Sequence, residues 1–153
     1  MKNTPPFDQE AAITLTAPKD DSYFDWYTAG YKDFHNRFPD LEPYVSVNTK
    51  DDMELSRKED LLRIVEINKQ PIGLISAMRD TFLGQDSIYF LEIFIENAYT
   101  GKGLAKCIQR KFVAEVAKQE IIWGTIDYKN KPSLKTALST GRIPVRYEHF
   151  IEI

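Results

Sequence analysis

Apolar and polar residues alternate over residues 11–17, with Ile13, Leu15 and Ala17 on one side. A period of two sends neighbouring side chains to opposite faces, so this stretch predicts a first strand, which Pro18 ends. Asp20-Asp21-Ser22 then offers side-chain acceptors for a helix start, and Asp25, three after Ser22, comes close to a capping box. Tyr23, Tyr27, Tyr31, Phe34 and Phe38 recur at steps of three and four. That spacing predicts one aromatic stripe on a helix that stops before Pro39. Asp51-Asp52 predicts the cap of a shorter helix reaching Lys58.

The middle of the chain changes period. Residues 62–67 alternate, Asn68-Lys69-Gln70-Pro71 turns the chain, and residues 72–78 return as the second strand of a hairpin. After a second turn at 82–86, residues 87–95 read SIYFLEIFI, almost continuously apolar apart from Glu92. Such a run suits a central strand buried on both faces. A glycine turn, a helix from 103 to about 118 and a short apolar strand at 121–126 follow, which suggests a parallel pair with a right-handed crossover. A last helix is expected over 132–140, with proline in its first turn and Gly141 just past its end. Alternation over 145–151 predicts a final strand. The order β-α-α-β-β-β-α-β-α-β is an α/β mixture with a partly antiparallel sheet.

The length of 153 residues fits one domain, with residues 1–10 as a polar lead-in and 11–153 as the folded unit. A hydrophobic fraction of 42% and a charged fraction of 28% exclude disorder as the main state. No run approaches the ~18–20 apolar residues of a membrane span. The opening Met-Lys-Asn-Thr-Pro-Pro-Phe-Asp lacks the apolar stretch of a signal peptide, so a cytoplasmic protein with no membrane partner is expected. Cys107, the single cysteine, excludes an internal disulfide and a multi-cysteine metal site, and His35 and His149 carry no ligand pattern, so no metal is expected. The net charge of -3 hides an asymmetry: residues 1–100 hold 10 basic and 18 acidic residues, and residues 101–153 hold 10 basic and 5 acidic. A basic end on an acidic chain suggests an anionic partner. The acidic remainder, with no basic–aromatic interleaving, argues against nucleic acid.

Phosphate-binding geometry lies at the start of that basic third. Residues 95–105 read Ile-Glu-Asn-Ala-Tyr-Thr-Gly-Lys-Gly-Leu-Ala, with two glycines between a buried strand and a helix start. Glycines let the backbone turn sharply and approach a ligand, and the first N–H groups of a helix point outward with the positive end of its dipole. Together they accept phosphate oxygens. The dinucleotide fingerprint G-x-G-x-x-G fails, because Lys106 stands at its third glycine. The mononucleotide loop G-x-x-x-x-G-K-S/T fails as well, because Glu96 stands at its first glycine and Gly103 follows Lys102.

Tyr-Thr-Gly-Lys-Gly-Leu-Ala after an apolar strand resembles the acetyl-CoA pyrophosphate loop of the GNAT superfamily of N-acetyltransferases, Q/R-x-x-G-x-G/A. Asn130-Lys-Pro-Ser133-Leu-Lys-Thr-Ala137-Leu-Ser-Thr-Gly141 is similar to the family's N-x-x-S/A-x-x-x-Y/A-x-x-x-G helix. The resemblance covers about residues 11–151. It implies a mixed, mostly antiparallel sheet of about six strands, flanked by about four helices, with splayed central strands. Acetyl-CoA is then the co-substrate, and the acceptor is a primary amine of a small molecule or peptide. The backbone of Thr100, Gly101, Lys102, Gly103, Leu104 and Ala105 would hold the pyrophosphate. Phe94 and Ile95 would line the pantetheine arm, and Asn130 and Ser133 would sit beside it. Lys102, Lys131 and Lys135 are candidates for attracting the anionic 3′-phospho-ADP.

Several positions depart from the family pattern. Ala98 and Thr100 stand where glutamine or arginine is usual, which implies weaker CoA binding. Ala137 stands where many members carry a tyrosine that acts as general acid, and Arg142 replaces a common phenylalanine. Only 12 residues follow Gly141, so one closing strand is missing or supplied by a partner, in a homodimer through the last strand.

Acetyl transfer needs an amine stripped of its proton, since an alkyl ammonium has a pKa near ~10. Glu92, the lone charge inside the apolar run, is the candidate general base, and a strand N–H would stabilise the oxyanion. If Glu92 faces away, Tyr89 or an acid of the helical region takes its place. Tyr147 is the candidate general acid. The reading is an acetyl-CoA-dependent N-acetyltransferase. The alternatives are a non-catalytic acyl-CoA-binding or regulatory module, or an unrelated phosphate binder using the glycine turn.

Overall fold

The computed structural model describes residues 9–149 and residue 151. A short helix, α1 (Gln9–Ala12), leads into β1 (Ile13–Thr16), so the end of the expected polar lead-in is helical and residues 1–8 lie outside the described residues. Helices α2 (Tyr23–Arg37) and α3 (Lys50–Lys58) follow, then strands β2 (Leu62–Ile67), β3 (Gln70–Phe82) and β4 (Gln85–Ile95). Helix α4 (Leu104–Val116), strand β5 (Ile121–Trp123) and helix α5 (Lys131–Ser139) complete the order. One sheet holds the strands in the order β1-β2-β3-β4-β5. Its first three pairings are antiparallel and β4–β5 is parallel, which is the expected mixed α/β sheet with one strand fewer.

Local chemistry moves some boundaries. Ser22 precedes α2 but makes no side-chain cap; its N–H goes instead to Asp20 Oδ1 at 3.0 Å. Thr49, rather than Asp51 or Asp52, caps α3 by accepting the Asp52 N–H at 3.1 Å. The hairpin β2–β3 turns through Asn68 and Lys69 at φ of 52° and 63°, and β3–β4 through Leu83 and Gly84 at 52° and 77°. Two left-handed residues in succession give a turn whose twist matches that of the strands.

The expected final strand does not form. Residues 142–149 have no regular structure, and residue 150 lies outside the described residues. Alternation specifies a strand only where a ladder and a face await it. Here β5 ends at Trp123, short of the expected residue 126, and offers only three residues of ladder. The homodimer expected through the last strand therefore has no strand to run through among the described residues.

Two apolar layers flank the sheet. On one face Val65, Ile75, Ile88 and Phe90 pack with Leu104, Ile108 and Phe112 of α4. On the other, Leu62, Ile64, Leu74 and Phe94 pack with Tyr23, Tyr27 and Tyr31 of α2 and Met53 of α3. Strand β4 changes face halfway. Ser76 and Ala77 of β3 pair with Glu92 and Phe90, which leaves Leu91 as an extra residue. A bulge of this kind breaks the period of two. Phe90 packs on the α4 side, Leu91 packs on the α2 side, Glu92 bonds to Tyr27 and Tyr31 of α2, and Ile93 returns to the α4 side. Unbroken alternation would put Leu91 and Glu92 on opposite faces; the bulge puts both on the α2 side.

Close approach of β3 to β4 depends on Gly73. A Cβ there would lie 2.3 Å from the Phe94 carbonyl oxygen, and a backbone atom cannot rotate away. Gly73→Ala is expected to cost about 1–3 kcal/mol. Urea unfolding should show a lower midpoint at an unchanged slope; an unchanged midpoint contradicts this packing.

Candidate functional site

Strand β4 and helix α2 meet at Glu92, which is 8% exposed. Tyr27 and Tyr31 are four residues apart, so their hydroxyls project from one face of α2. Tyr27 Oη donates to Glu92 Oε2 at 2.6 Å. Tyr31 Oη lies 2.9 Å from Oε1 and 2.8 Å from Oε2. Asn48 Nδ2 donates to Oε2 at 3.0 Å and to the Leu91 carbonyl at 3.2 Å. The Asn48 N–H donates to Tyr27 Oη at 2.9 Å, which leaves the tyrosine proton for Glu92. The Ile93 N–H donates to Oε1 at 2.9 Å.

These partners are neutral donors. A hydrogen bond to a charged group contributes about 1.5–3 kcal/mol, whereas taking a carboxylate out of water costs several. Burial is the largest influence on Glu92 and raises its pKa above the ordinary 4.5; the four donors pull the other way. Burial, followed by the Glu92 charge, also pushes the Tyr27 and Tyr31 hydroxyls upward, so their protons stay on the tyrosines. Tyr31 lines an open cleft of about 550 Å³ along α2, shared with Thr28, Lys32, His35, Glu42 and Val47. This tyrosine therefore spans the distance from the cleft to the carboxylate.

The second part of the site is the far half of β4. Strands β4 and β5 pair only at Ser87–Ile121, Ile88–Ile122 and Tyr89–Trp123. Residues 90–95 continue beside β3, and among the described residues no strand covers their other edge. That edge leads into a single 3-10 turn, Asn97–Tyr99, and then to Gly101 and Gly103 at φ of 74° and 75°. Left-handed backbone of this kind favours glycine. Gly103 stands at the N-cap of α4 without a side-chain cap, and the first turn holds no acid. The first-turn N–H groups thus face outward at the positive end of a 13-residue helix.

The expected binding residues divide into several groups. Gly101, Lys102 and Gly103 are exposed in the turn, and Lys102 Nζ sits 5.3 Å from the Tyr99 ring centroid. The Thr100 hydroxyl is used locally on the Asn97 carbonyl at 2.8 Å. Leu104 buries its side chain in the α4 layer, and Ala105 is half-buried. The Phe94 ring packs against Trp26, Tyr27 and Tyr31, so only its backbone is at the strand edge. Ile95 packs in the α4 layer. Asn130 caps α5 by accepting the Ser133 N–H at 3.3 Å, and Ser133 is exposed beside it. Tyr147 is 77% exposed on the irregular tail. The Tyr89 hydroxyl is 2.7 Å from Thr125 Oγ1.

The spacing of the aromatic stripe includes Tyr27 and Tyr31 without marking their role here, and no pattern in the chain marks Asn48. The usable signal was that these two members of the stripe are tyrosines, whose hydroxyls need partners once buried. Among the described residues, no group of three His, Cys, Asp or Glu side chains is placed to hold a metal ion.

The raised pKa of Glu92 fixes the sign of a pH effect. A group that binds its proton more readily in the native state favours folding most below the ordinary 4.5. That contribution fades as pH rises through the native value. Wild-type stability minus that of Glu92→Gln, from paired urea titrations, should therefore fall as pH rises above 4.5. A difference that grows with pH contradicts a desolvated carboxylate.

No family model and no curated protein sequence matches this chain. Solved structures do match. Arabidopsis thaliana Naa50, in complex with the bisubstrate analogue CoA-Ac-MVNAL, aligns at 11% identity over 85% of this chain and 82% of its own, with a TM-score of 0.63. An aminoglycoside 6'-N-acetyltransferase from Acinetobacter haemolyticus aligns at 12% identity over 92% and 97%, with a TM-score of 0.60. A protein described as a transcriptional regulator from Bacillus halodurans aligns at 10% identity over 92% and 99%, with a TM-score of 0.66. At these identities the likeness concerns architecture: the chain has the fold of the GNAT N-acetyltransferases.

Proposed function

We propose that this protein is an acyl-CoA-dependent N-acyltransferase that moves an acetyl group from acetyl-CoA to an amine of a small molecule or peptide. The carrying observation is the left-handed glycine turn at 101–103, which opens an uncapped helix directly beyond the uncovered half of β4. Backbone amides of residues 101–105 donate to the pyrophosphate, the Thr100 N–H being held by the Asn97 carbonyl, and the basic balance of residues 101–153 attracts the anion. The pantetheine arm lies along the edge of residues 90–95.

In this reading the thioester carbonyl takes the Ile93 N–H, a preorganised donor for the developing oxyanion. Glu92 Oε1 then keeps Tyr31 as its partner and becomes available as a base. The acceptor ammonium passes a proton to Tyr31 Oη as Tyr31 passes its own to Glu92. A raised carboxyl pKa lies closer to that of the amine, which favours this transfer. The amine nitrogen bonds to the carbonyl carbon, the carbon–sulfur bond breaks with its electron pair on sulfur, and the second proton on the nitrogen passes to solvent as the amide forms.

A module that binds acyl-CoA without transfer is favoured by one observation. Ala137, 5% exposed, puts no proton donor where a general acid is common in this fold. Turnover separates the two readings. Acetyl-CoA should stabilise the protein thermally, and an amine panel should reveal thiol release. Glu92→Gln should lower kcat by about 10²-fold or more at an unchanged Kd for acetyl-CoA. Unchanged turnover in Glu92→Gln contradicts the base assignment, and the absence of any acetyl-CoA stabilisation contradicts the acyl-CoA reading.

A further inference from the structure

Helix α5 ends in a way that aims one cation. Gly141 is left-handed at φ of 87°. Its N–H reaches the Leu138 carbonyl at 3.1 Å, and the Arg142 N–H reaches the Ala137 carbonyl at 3.2 Å. This Schellman pattern folds the residue after the glycine back over the last helical turn. The Arg142 guanidinium consequently stands 5.3 Å from the Phe90 ring centroid, with Nη2 at 3.4 Å from the Gly124 carbonyl. A Cβ at Gly124 would lie 3.0 Å from Nη2, so glycine there makes the room. Phe90 and Gly124 are the first residues past the last β4–β5 pair, Tyr89–Trp123. The cation therefore stands in the mouth of the strand divergence.

Its surroundings are incomplete for a charge. Arg142 is half-buried, and burial draws its pKa down, with the Tyr89 hydroxyl as the opposing influence. Among the described residues no carboxylate pairs with it, and its one side-chain hydrogen bond is the long one to Gly124. A guanidinium carries five N–H donors and remains charged at neutral pH. A half-desolvated cation with donors to spare suits an anion that arrives with a ligand.

We propose that Arg142 stabilises the CoA thiolate as the thioester opens, in place of a proton-donating tyrosine. This rests on the acyl-CoA reading. As the amine nitrogen bonds to the carbonyl carbon, the carbon–sulfur electron pair moves to sulfur. The guanidinium keeps its own protons and donates hydrogen bonds to the sulfur anion. The first ammonium proton stays on Glu92 until solvent takes it; the second, shed by the nitrogen as the amide forms, passes to solvent, and the thiolate leaves as such or is protonated by solvent. The other anion that would fit, a carboxylate on a longer acyl chain, is distinguished by the test.

The experiment needs no acceptor. Ultraviolet thiolate absorbance of enzyme-bound CoA is followed against pH, with desulfo-CoA-bound enzyme subtracted to remove Cys107 and the tyrosines. Free thiols ionise near ~8.5, and a thiol beside a cation ionises below about 7.5. Wild-type bound CoA should show the lower value. Arg142→Gln should raise it by about one unit or more, and Arg142→Lys should keep most of the shift. Desulfo-CoA affinity should be unchanged in both variants. A wild-type value at or above that of free CoA overturns the assignment without any variant. So does an Arg142→Gln titration equal to wild type, including the case in which that variant instead loses a preference for succinyl-CoA over acetyl-CoA. If neither CoA nor desulfo-CoA binds the wild-type protein, the acyl-CoA reading itself fails, and the assignment with it.

Discussion

A carboxylate stays inside a protein only if donors surround it, and the contact between α2 and β4 is built around that requirement. Two tyrosines one helical turn apart, one asparagine and one strand N–H meet the oxygens of Glu92. The same tyrosine rings pack on Phe94, so a single helix face supplies both apolar area and hydroxyls. Helix α2 comes close enough because position 30 is glycine; a Cβ there would lie 2.3 Å from Phe94 Cζ. Asn48 fastens the preceding loop to the same point and also holds the Leu91 carbonyl, which the bulge frees from regular pairing. The balance still favours desolvation, so the carboxyl retains a tendency to hold a proton.

The bulge has a second consequence. It sends Phe90 and Glu92 to opposite faces of β4, with Arg142 against the first and the tyrosines around the second. A guanidinium and a carboxylate are thus set on either side of one uncovered strand edge. For the proposed acyl transfer along that edge, proton removal and thiolate departure would take place on different sides of the strand. Neither group needs to cross the other's field.

Much of this architecture was legible in the chain. The aromatic stripe, the two hairpins, the buried strand with its lone acid and the glycine turn are local patterns, and the fold preserves them. Several features were not legible, for physical reasons. A period-two reading assumes unbroken register, and nothing in SIYFLEIFI marks Leu91 as the extra residue. Asn48 lies in a loop without periodicity, among Thr49, Asp51 and Asp52, all able to cap a helix. The final strand failed because its pattern depended on a neighbour that ends at Trp123. Arg142 was visible as the residue after Gly141, but its burial depends on where β4 and β5 part.

The central claim is that the uncovered half of β4 and the turn beyond it form the acyl-CoA site. Amide hydrogen exchange with and without acetyl-CoA tests it most directly. The account predicts new protection over residues 90–95 and 100–105, with the already buried contacts of Glu92 little changed. Protection confined to the α2 cleft around Thr28 to Val47, or none anywhere, would contradict it.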